Sequence, residues 1–147
     1  MAEELIIRKL QETDIEPLSV IEAASFSMPW SAKDFADLLK HDYCVYFVAE
    51  YAGEVAGCCG MTNICREGNI DNVVVAERFR GKGIATALLR RLMEAGDAMG
   101  VQAYTLEVRV SNQIAIHIYE KLGFVSEGIR PGFYEKPVED ACIMWKR

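Results

Sequence analysis

The feature that most constrains how this chain folds is a glycine-rich hexapeptide, RGKGIA, at residues 80–85. It follows an apolar run, 73–76, that predicts a β-strand, and it opens a stretch with helical apolar spacing, 84–99. A tight turn from a strand into a helix leaves backbone N–H groups without partners at the positive end of the helix dipole. The hexapeptide therefore predicts an α/β unit that binds a phosphorylated ligand at the turn.

Composition limits the kinds of partner this chain can have. With 147 residues, of which 51% are hydrophobic, the chain is large enough for one domain with a core, and we expect a single domain over residues 1–147. No apolar run reaches the ~18 residues that span a bilayer, so no membrane association is expected. The first residues, MAEE, are acidic where a secretory signal would be basic, which predicts a cytoplasmic protein.

The net charge of −6 argues against binding to duplex nucleic acid, because such proteins present a basic face. The same charge permits a basic protein or peptide partner, attracted at long range. A charge that serves only solubility is the alternative, and the sequence leaves it open.

The cysteine and histidine content predicts no metal site. The five cysteines are an odd number without a Cys-x-x-Cys pair, which predicts buried free thiols in a reducing compartment. The only histidines, His41 and His117, have no ligand neighbours at a metal-binding spacing. The cysteines are Cys44, Cys58, Cys59, Cys65 and Cys142.

Hydrophobic periodicity predicts strands and helices that alternate along the whole chain, without a repeat or a linker. We expect turns at 52–54 and 67–69 and a loop that contains Pro131, Gly132 and Pro137. The predicted strands are 5–8, 43–51, 55–65, 70–76, 103–108, 124–129 and 141–145; the predicted helices run from Thr13 or Asp14 to about 25, and over 31–39, 84–99 and 112–122. This order predicts an α/β sheet protein.

Two well-known phosphate motifs do not fit the hexapeptide. A Walker loop needs a hydroxyl residue after its lysine, but Gly83 follows Lys82, and Ala76 occupies the first glycine position. A dinucleotide fingerprint needs a third glycine where Thr86 stands, and it would not be expected in the middle of the chain.

The pattern [Gln/Arg]-x-x-Gly-x-[Gly/Ala], met by Arg80, Gly83 and Ala85, resembles the pyrophosphate-binding signature of the GCN5-related N-acetyltransferase superfamily. The resemblance implies that backbone N–H groups there bind the pyrophosphate of acetyl-coenzyme A. The implied cofactor-binding residues are Arg80, Gly81, Lys82, Gly83, Ile84, Ala85 and Thr86. A plain tight turn is the alternative for the hexapeptide alone.

The strand before the turn, IDNVVV at 70–75, resembles the fourth strand of that superfamily. In the family this strand splays from its neighbour, and its main chain pairs with the pantetheine arm and the acetyl carbonyl. The residues implied here are Val73, Val74 and Val75, and an N–H aimed at the thioester oxygen would stabilise an oxyanion. A plain buried strand is compatible with this role, because only backbone groups carry it.

Four further segments are similar to the RimI family, whose members acetylate the N-terminal alanine of ribosomal small-subunit protein eighteen. They are YTLEVRVSN at 104–112, AIHIYEKLGF at 115–124, PWS at 29–31 and EDACIM at 139–144. The resemblance covers nearly the whole chain. It departs from the family at Glu77, where the family often has proline, and this change affects only the stiffness of the turn. It implies a single mixed, mostly antiparallel sheet of about seven strands flanked by about four helices. It also implies acetyl-coenzyme A as co-substrate and a basic ribosomal protein, or its N-terminal peptide, as partner.

Glu107 is the candidate catalytic base. An N-terminal α-amine has a pKa of ~8 and a lysine ~10.4, so the α-amine is the easier nucleophile and a carboxylate could suffice as base, directly or through water. On strand 103–108, Glu107 lies on the face opposite Tyr104 and Leu106. The alternative for Glu107 is a solvent-facing strand glutamate.

Tyr119 is the candidate acid for the leaving thiolate, since a phenol pKa of ~10 and a thiol pKa of ~8.5 are close. Asn112 precedes it by seven residues, so the two side chains share a helix face and both could contact the cofactor. A core aromatic and a helix N-cap, respectively, are the alternatives. His117 points away from this face and is expected to be a surface or packing residue.

The family suggests that Trp30 and Tyr134 bind the substrate, although the sequence alone is equally consistent with core or rim aromatics. The favoured hypothesis is a protein N-terminal α-amino acetyltransferase with direct ternary-complex transfer, because no cysteine lies in a nucleophile context. One alternative keeps the family but has a protein lysine or a small amine as acceptor. Another is a non-catalytic acyl-coenzyme A-binding module, which would have no need of Glu107 and Tyr119.

Overall fold

Seven strands and four helices follow one another along residues 4–26 and 29–147, the part of the chain that the computed structural model describes. They are β1 (Leu5–Lys9), α1 (Ile15–Ser25), α2 (Ala32–Leu38), β2 (Cys44–Tyr51), β3 (Glu54–Ile64), β4 (Glu67–Val75), α3 (Ile84–Ala98), β5 (Ala103–Arg109), α4 (Gln113–Lys121), β6 (Val125–Tyr134) and β7 (Glu139–Lys146). None of these helices has the length and apolar character needed to cross a membrane.

All seven strands belong to one sheet, in the order β1-β2-β3-β4-β5-β7-β6. The β4–β5 pair is parallel, and every other neighbouring pair is antiparallel. The predicted mixed, mostly antiparallel sheet with about four flanking helices is therefore confirmed.

Helices cover both faces of the sheet, and each face has its own core. One, here called the α3 core, joins α3 and α4 to the sheet through Leu88, Leu92, Leu106 and Tyr119, among others. The other, here called the α1 core, joins α1 and α2 to the opposite face through Leu18, Phe35, Tyr46, Val48, Cys58 and Val74, among others. Period-2 alternation sends neighbouring strand residues, such as Phe47 and Val48, to opposite cores.

The helix ends follow the sequence signals. The Ser31 hydroxyl accepts from the Asp34 N–H at 3.2 Å, and the Asp34 carboxylate accepts from the Ser31 N–H at 2.8 Å, a reciprocal capping box. Gly100 ends α3 in the left-handed conformation, with φ +87°.

The turn predicted at 67–69 is wrong, because those residues begin β4. The chain reverses instead at Cys65 and Arg66, whose φ values of +53° and +65° suit a tight hairpin turn. Gly68 lies inside the strand because its missing side chain makes room for its neighbours. An added Cβ would lie 2.8 Å from Met61 Sδ and 3.0 Å from Tyr104 Cδ1.

The predicted loop around Pro131 and Gly132 is wrong in extent, because β6 continues to Tyr134 and only residues 135–138 form the turn to β7. β6 is an edge strand, where a proline without an N–H is tolerated. A register shift between Arg130 and Tyr134 takes up the extra residues, and the Gly132 N–H donates to Asp140 Oδ1 at 2.9 Å.

All five cysteines are free, and Cys58, Cys59 and Cys142 are buried as predicted. Cys44 is half-buried. Cys65 is exposed because it forms the hairpin turn, so the prediction of burial is wrong for this residue.

Candidate active site

β4 and β5 pair over only a short length, and this creates the site. Their register runs from Glu67 opposite Ala103 to Asn69 opposite Thr105, although β4 continues to Val75 and β5 to Arg109. Beyond Asn69 and Thr105, the facing edges of β4 and β5 no longer pair with each other, which leaves a gap between the two strands. Such an opening in the middle of a sheet is a place where a ligand can pair with the main chain.

A β-bulge begins where the pairing stops. Gly60 of β3 faces Asn72 and Met61 faces Ile70, so Asp71 is an extra residue in β4. The bulge reverses the faces of the strand: Ile70 packs in the α3 core, whereas Val74 packs in the α1 core. Val73 and Val75 pack against the α3 core. The three valine side chains thus pack in or against the two cores, so a ligand that pairs with this strand would use its main chain.

A cleft of about 730 Å³ opens at this gap. It is lined from both sides of the sheet, because Glu107 faces the α1 side and Tyr119 comes from the α3 core. The structure brings six of the predicted site residues together here: Trp30, Val73, Glu107, Asn112, Tyr119 and Tyr134. Val74, Val75 and residues 80–86 do not line the cleft.

The glycine loop lies beyond the far end of β4 and has the backbone geometry of an anion site. None of the N–H groups from Gly81 to Thr86 donates to a backbone carbonyl of the described residues; the first that does is Ala87, to Gly83 O at 3.1 Å. Gly81 and Gly83 have φ values of +81° and +76°, and an added Cβ would meet nothing within 4 Å. Glycine is needed here for the left-handed backbone, and the space in front of the loop is open.

Arg80, the first residue of the loop, forms hydrogen bonds with other parts of the protein. Its N–H donates to Glu77 O, and its side chain donates to Val75 O at 3.0 Å and to Ser25 Oγ at 3.4 Å. The side chain therefore joins the loop to β4 and α1. Lys82 Nζ lies 5.2 Å from the centroid of the Tyr51 ring.

Glu107 faces the cleft from β5, with 22% of its side chain exposed. Its nearest ion pair is long, 3.7 Å from Arg130 Nη1 to Glu107 Oε1. The alternation predicted for this strand is confirmed, since Tyr104, Leu106 and Val108 are buried on the other face.

Tyr119 is buried on α4, with its ring 6.0 Å from Phe124 in an edge-on arrangement. Burial, and to a lesser degree nearby Cys59 and Tyr134, raise the pKa of the Tyr119 phenol above its ordinary value. The phenol therefore stays protonated, and it is a weaker acid toward a thiolate than the reference pKa values suggest.

Asn112 is the N-cap of α4, where its Oδ1 accepts from the Ala115 N–H at 3.2 Å. Its side chain still borders the cleft, so the cap and a ligand contact through the NH2 group are compatible. His117 is exposed and does not border the cleft, as expected for a surface residue.

Trp30 and Tyr134 both line the cleft, and both are packed against other side chains. The Trp30 ring lies 5.5 Å from Phe35 and 5.9 Å from Tyr46. The Tyr134 ring lies 4.5 Å below the guanidinium carbon of Arg109. Burial, followed by the charge of Glu107, raises the pKa of Tyr134 to about 12, so this hydroxyl is neutral.

Among the cleft carboxylates that sequence reasoning missed, Glu22 and Asp71 are those that burial affects most. Glu22 is 1% exposed; it accepts from Asn72 Nδ2 and, at 3.4 Å, from the Trp30 N–H. Asp71, the bulge residue, accepts from Thr62 Oγ1 at 2.7 Å. Burial raises the pKa of both carboxyl groups, although these hydrogen bonds oppose the rise. The sequence did contain a signal for each: Glu22 stands one helical turn after the apolar Leu18, and Asp71 stands inside a mostly apolar strand.

Comparison with known proteins shows the family to which the chain belongs. Residues 15–124 match the family model described as Acetyltransferase (GNAT) family. The chain belongs to this family, and it is an N-acetyltransferase. Members of the family use acetyl-coenzyme A as the acetyl donor.

Individual relatives resemble the chain over most of its length. It is 36% identical to a putative [ribosomal protein bS18]-alanine N-acetyltransferase of Bacillus subtilis over 140 residues, 95% of this chain and 93% of the relative. It is 34% identical to the [ribosomal protein bS18]-alanine N-acetyltransferase of Escherichia coli K12, over 94% of each chain.

Solved structures give the same result. The crystal structure of the Escherichia coli ribosomal-protein-S18-alanine N-acetyltransferase superposes with a TM-score of 0.89 at 32% identity, covering 97% of this chain and 93% of the other. Ard1 from Thermoplasma volcanium superposes with a TM-score of 0.88 at 29% identity, covering 97% and 96%.

Proposed function

We propose that residues 1–147 form one cytoplasmic enzyme domain that acetylates the N-terminal alanine of a ribosomal small-subunit protein, with acetyl-coenzyme A as donor. The observation that carries the proposal is the cleft at the β4–β5 gap, which Glu107 and Tyr119 both line, one from each side of the sheet. The relatives named for bS18-alanine acetylation support the choice of acceptor.

The donor site would be built from main chain. The N–H groups from Gly81 to Thr86 would hold the pyrophosphate, helped by the dipole of α3, and the unpaired edge of β4 at Val73 to Val75 would pair with the pantetheine arm. Bound there, the coenzyme supplies an acetyl thioester. A β4 N–H could then stabilise the oxyanion that develops on the acetyl oxygen.

Glu107 would receive the proton of the acceptor amine, directly or through one water. An α-amine with a pKa of ~8 is partly neutral at pH 7, so a carboxylate is a sufficient base. The nitrogen–carbon bond forms and the carbon–sulfur bond breaks. Tyr119, which is protonated, would donate its proton to the departing sulfur and regain one from solvent, while Glu107 releases the amine proton to solvent, leaving an N-acetyl group and a free thiol.

Trp30 and Tyr134 would hold the acceptor peptide between them. The cleft lining contains more acids than bases: Glu22, Asp71, Glu107, Glu135 and Glu139 against Arg109 and Lys136. This excess suits a cationic amine at the N-terminus of a basic protein, and it is unsuited to nucleic acid. No role for a metal is proposed.

A set of matched peptides tests the acceptor. The protein is incubated with acetyl-coenzyme A and peptides beginning Ala-Arg, with a free or a blocked N-terminus and an internal lysine, and mass spectrometry locates the acetyl group. Transfer to the free α-amine alone is expected. Transfer to the lysine of the blocked peptide would favour a lysine acetyltransferase, and coenzyme binding without any transfer would favour a non-catalytic binding module.

Replacement of the base tests the mechanism. Glu107→Gln removes the proton acceptor at nearly constant volume, so turnover is expected to fall about 10²- to 10⁴-fold while acetyl-coenzyme A affinity stays within twofold. Glu120→Gln, an exposed change on α4 outside the cleft, is the control. Unchanged turnover in Glu107→Gln would exclude Glu107 as the base.

A further inference from the structure

Arg109, which borders the cleft, holds several groups around it. It lies at the end of β5 and reaches the turn between β6 and β7. Nη1 donates to Pro137 O and Nη2 to Glu135 O, both at 3.0 Å. The guanidinium also stacks on the ring of Tyr134, with 4.5 Å from Cζ to the ring centroid. The Arg109 side chain thus holds two carbonyl groups of the turn and also the ring of Tyr134, which precedes the turn.

Glu139 extends this network to the helix that carries Tyr119. Its Oε1 accepts from Arg109 Nη1 at 3.2 Å, and its Oε2 accepts from the Ser111 N–H at 2.8 Å. The hydrogen bonds from Ser111, together with Arg109, lower the pKa of Glu139, so this carboxylate stays charged at neutral pH. The start of β7, the end of β5 and the entry to α4 are therefore tied at one point.

The network also leaves Glu107 open to the cleft. Glu107 and Arg109 are two residues apart on β5 and leave the same face of the sheet, so an uncommitted arginine would be well placed to pair with the base. Arg109 is instead engaged by Glu139 and the turn carbonyls. Among residues 4–26 and 29–147, the one ion pair of Glu107 is the 3.7 Å contact to Arg130.

An arginine is suited to this task in a way that lysine is not. The planar guanidinium offers several N–H donors in a fixed fork and can stack on an aromatic face at the same time. Lysine carries the same charge as a point on a flexible stem, so it could satisfy one of the three acceptors while losing the others.

We propose that Arg109 is a positioning residue that holds Tyr134 and the turn 135–138 in the conformation that binds the acceptor. It sets the affinity for the acceptor peptide and leaves the acetyl-coenzyme A site unaffected. The inference rests on the proposed function, because that function assigns Tyr134 to the acceptor wall. The turn residues Glu135, Lys136 and Pro137 follow Tyr134 in the chain and also line the cleft.

Steady-state kinetics of the full-length protein test this role in Arg109→Gln and Arg109→Lys. We expect Arg109→Gln to raise the KM for an alanine peptide about thirtyfold, because charge-assisted hydrogen bonds are lost, and Arg109→Lys to raise it about fivefold. The KM for acetyl-coenzyme A should stay within twofold, and kcat should fall less than the acceptor KM rises. Arg91→Gln is the matched control. Arg91 does not line the cleft, and its guanidinium carbon lies 4.6 Å from the centroid of the Phe47 ring.

Hydrogen exchange supplies a readout that does not depend on activity. In Arg109→Gln, amides of 134–139 are expected to exchange faster than in the wild type, while those of α3 are unchanged. An unchanged acceptor KM, or equal increases in both KM values, would overturn the inference. Wild-type protein that acetylates no alanine peptide would instead refute the proposed function, and unchanged exchange at 134–139 would refute the positioning role independently.

Discussion

The glycine loop and the acceptor cleft are joined by one strand, β4, yet they are built in opposite ways. The loop is a contiguous segment whose functional groups are backbone N–H groups, and its side chains matter mainly through the absence of Cβ atoms at Gly81 and Gly83. The cleft is built from side chains of α1, β4, β5, α4 and the β6–β7 turn. A backbone site depends on local conformation, whereas a side-chain site depends on the whole fold.

The largest effect on coenzyme affinity is expected from Gly83→Ala. An alanine at φ +76° is strained by about 1 kcal/mol, and distortion of the N–H groups that face the phosphates should weaken acetyl-coenzyme A binding about a hundredfold. Gly100→Ala is the matched control, because Gly100 also has a positive φ, +87°, and open space around it. Calorimetric titration should show normal affinity in Gly100→Ala at a similar loss of stability. Equal affinities in the two variants would contradict the loop assignment.

An intermediate effect, on stability alone, is expected outside both regions. Asp14 is buried and paired twice with Arg8, at 2.7 Å for each oxygen. Asp14→Asn should lower the free energy of unfolding by about 2 kcal/mol, because it leaves Arg8 short of a partner, while kinetic constants stay normal. Asp37→Asn, at an exposed pair with Lys33, should cost under about 0.5 kcal/mol. Urea titration measures both.

The effect of Asp14 should depend on pH in a defined direction. Burial would raise the pKa of Asp14, but the hydrogen bonds and charge of Arg8 and the Gln11 N–H lower it below its ordinary value. The stabilisation is therefore complete above pH ~4 and is lost as the pH falls through the lower folded-state pKa. A difference between wild type and Asp14→Asn that grows on acidification would contradict this account.

The smallest effect is expected from Tyr119→Phe in the cleft. Loss of one hydrogen bond to the leaving sulfur, about 1.4 kcal/mol, predicts about tenfold slower turnover. Because the raised pKa keeps Tyr119 protonated, the rate should show no loss from its ionisation between pH 7 and pH 10. Tyr104→Phe is the control, since its hydroxyl binds Met93 O and Asp97 inside the α3 core. Equal turnover in wild type and Tyr119→Phe would remove Tyr119 from the mechanism.

The same contrast explains what the sequence could predict. The loop, the helix caps and the strand alternation around Glu107 depend on neighbours along the chain, and the sequence pattern predicted them. Gly68 was assigned to a turn because the need for glycine there comes from Met61 and Tyr104, which are distant in sequence. Glu22 and Arg109 were overlooked for the same reason: Asn72 for Glu22, and residues 134–139 for Arg109, are brought near only by the folded sheet.

The most direct test of the division between the two regions is the initial rate as a function of acetyl-coenzyme A concentration, in Gly83→Ala and Glu107→Gln. The account predicts that Gly83→Ala reaches nearly the wild-type plateau at high coenzyme concentration. It predicts that Glu107→Gln half-saturates at the wild-type concentration but has a plateau at least about a hundredfold lower. A low plateau in Gly83→Ala, or recovery of Glu107→Gln by excess coenzyme, would contradict it.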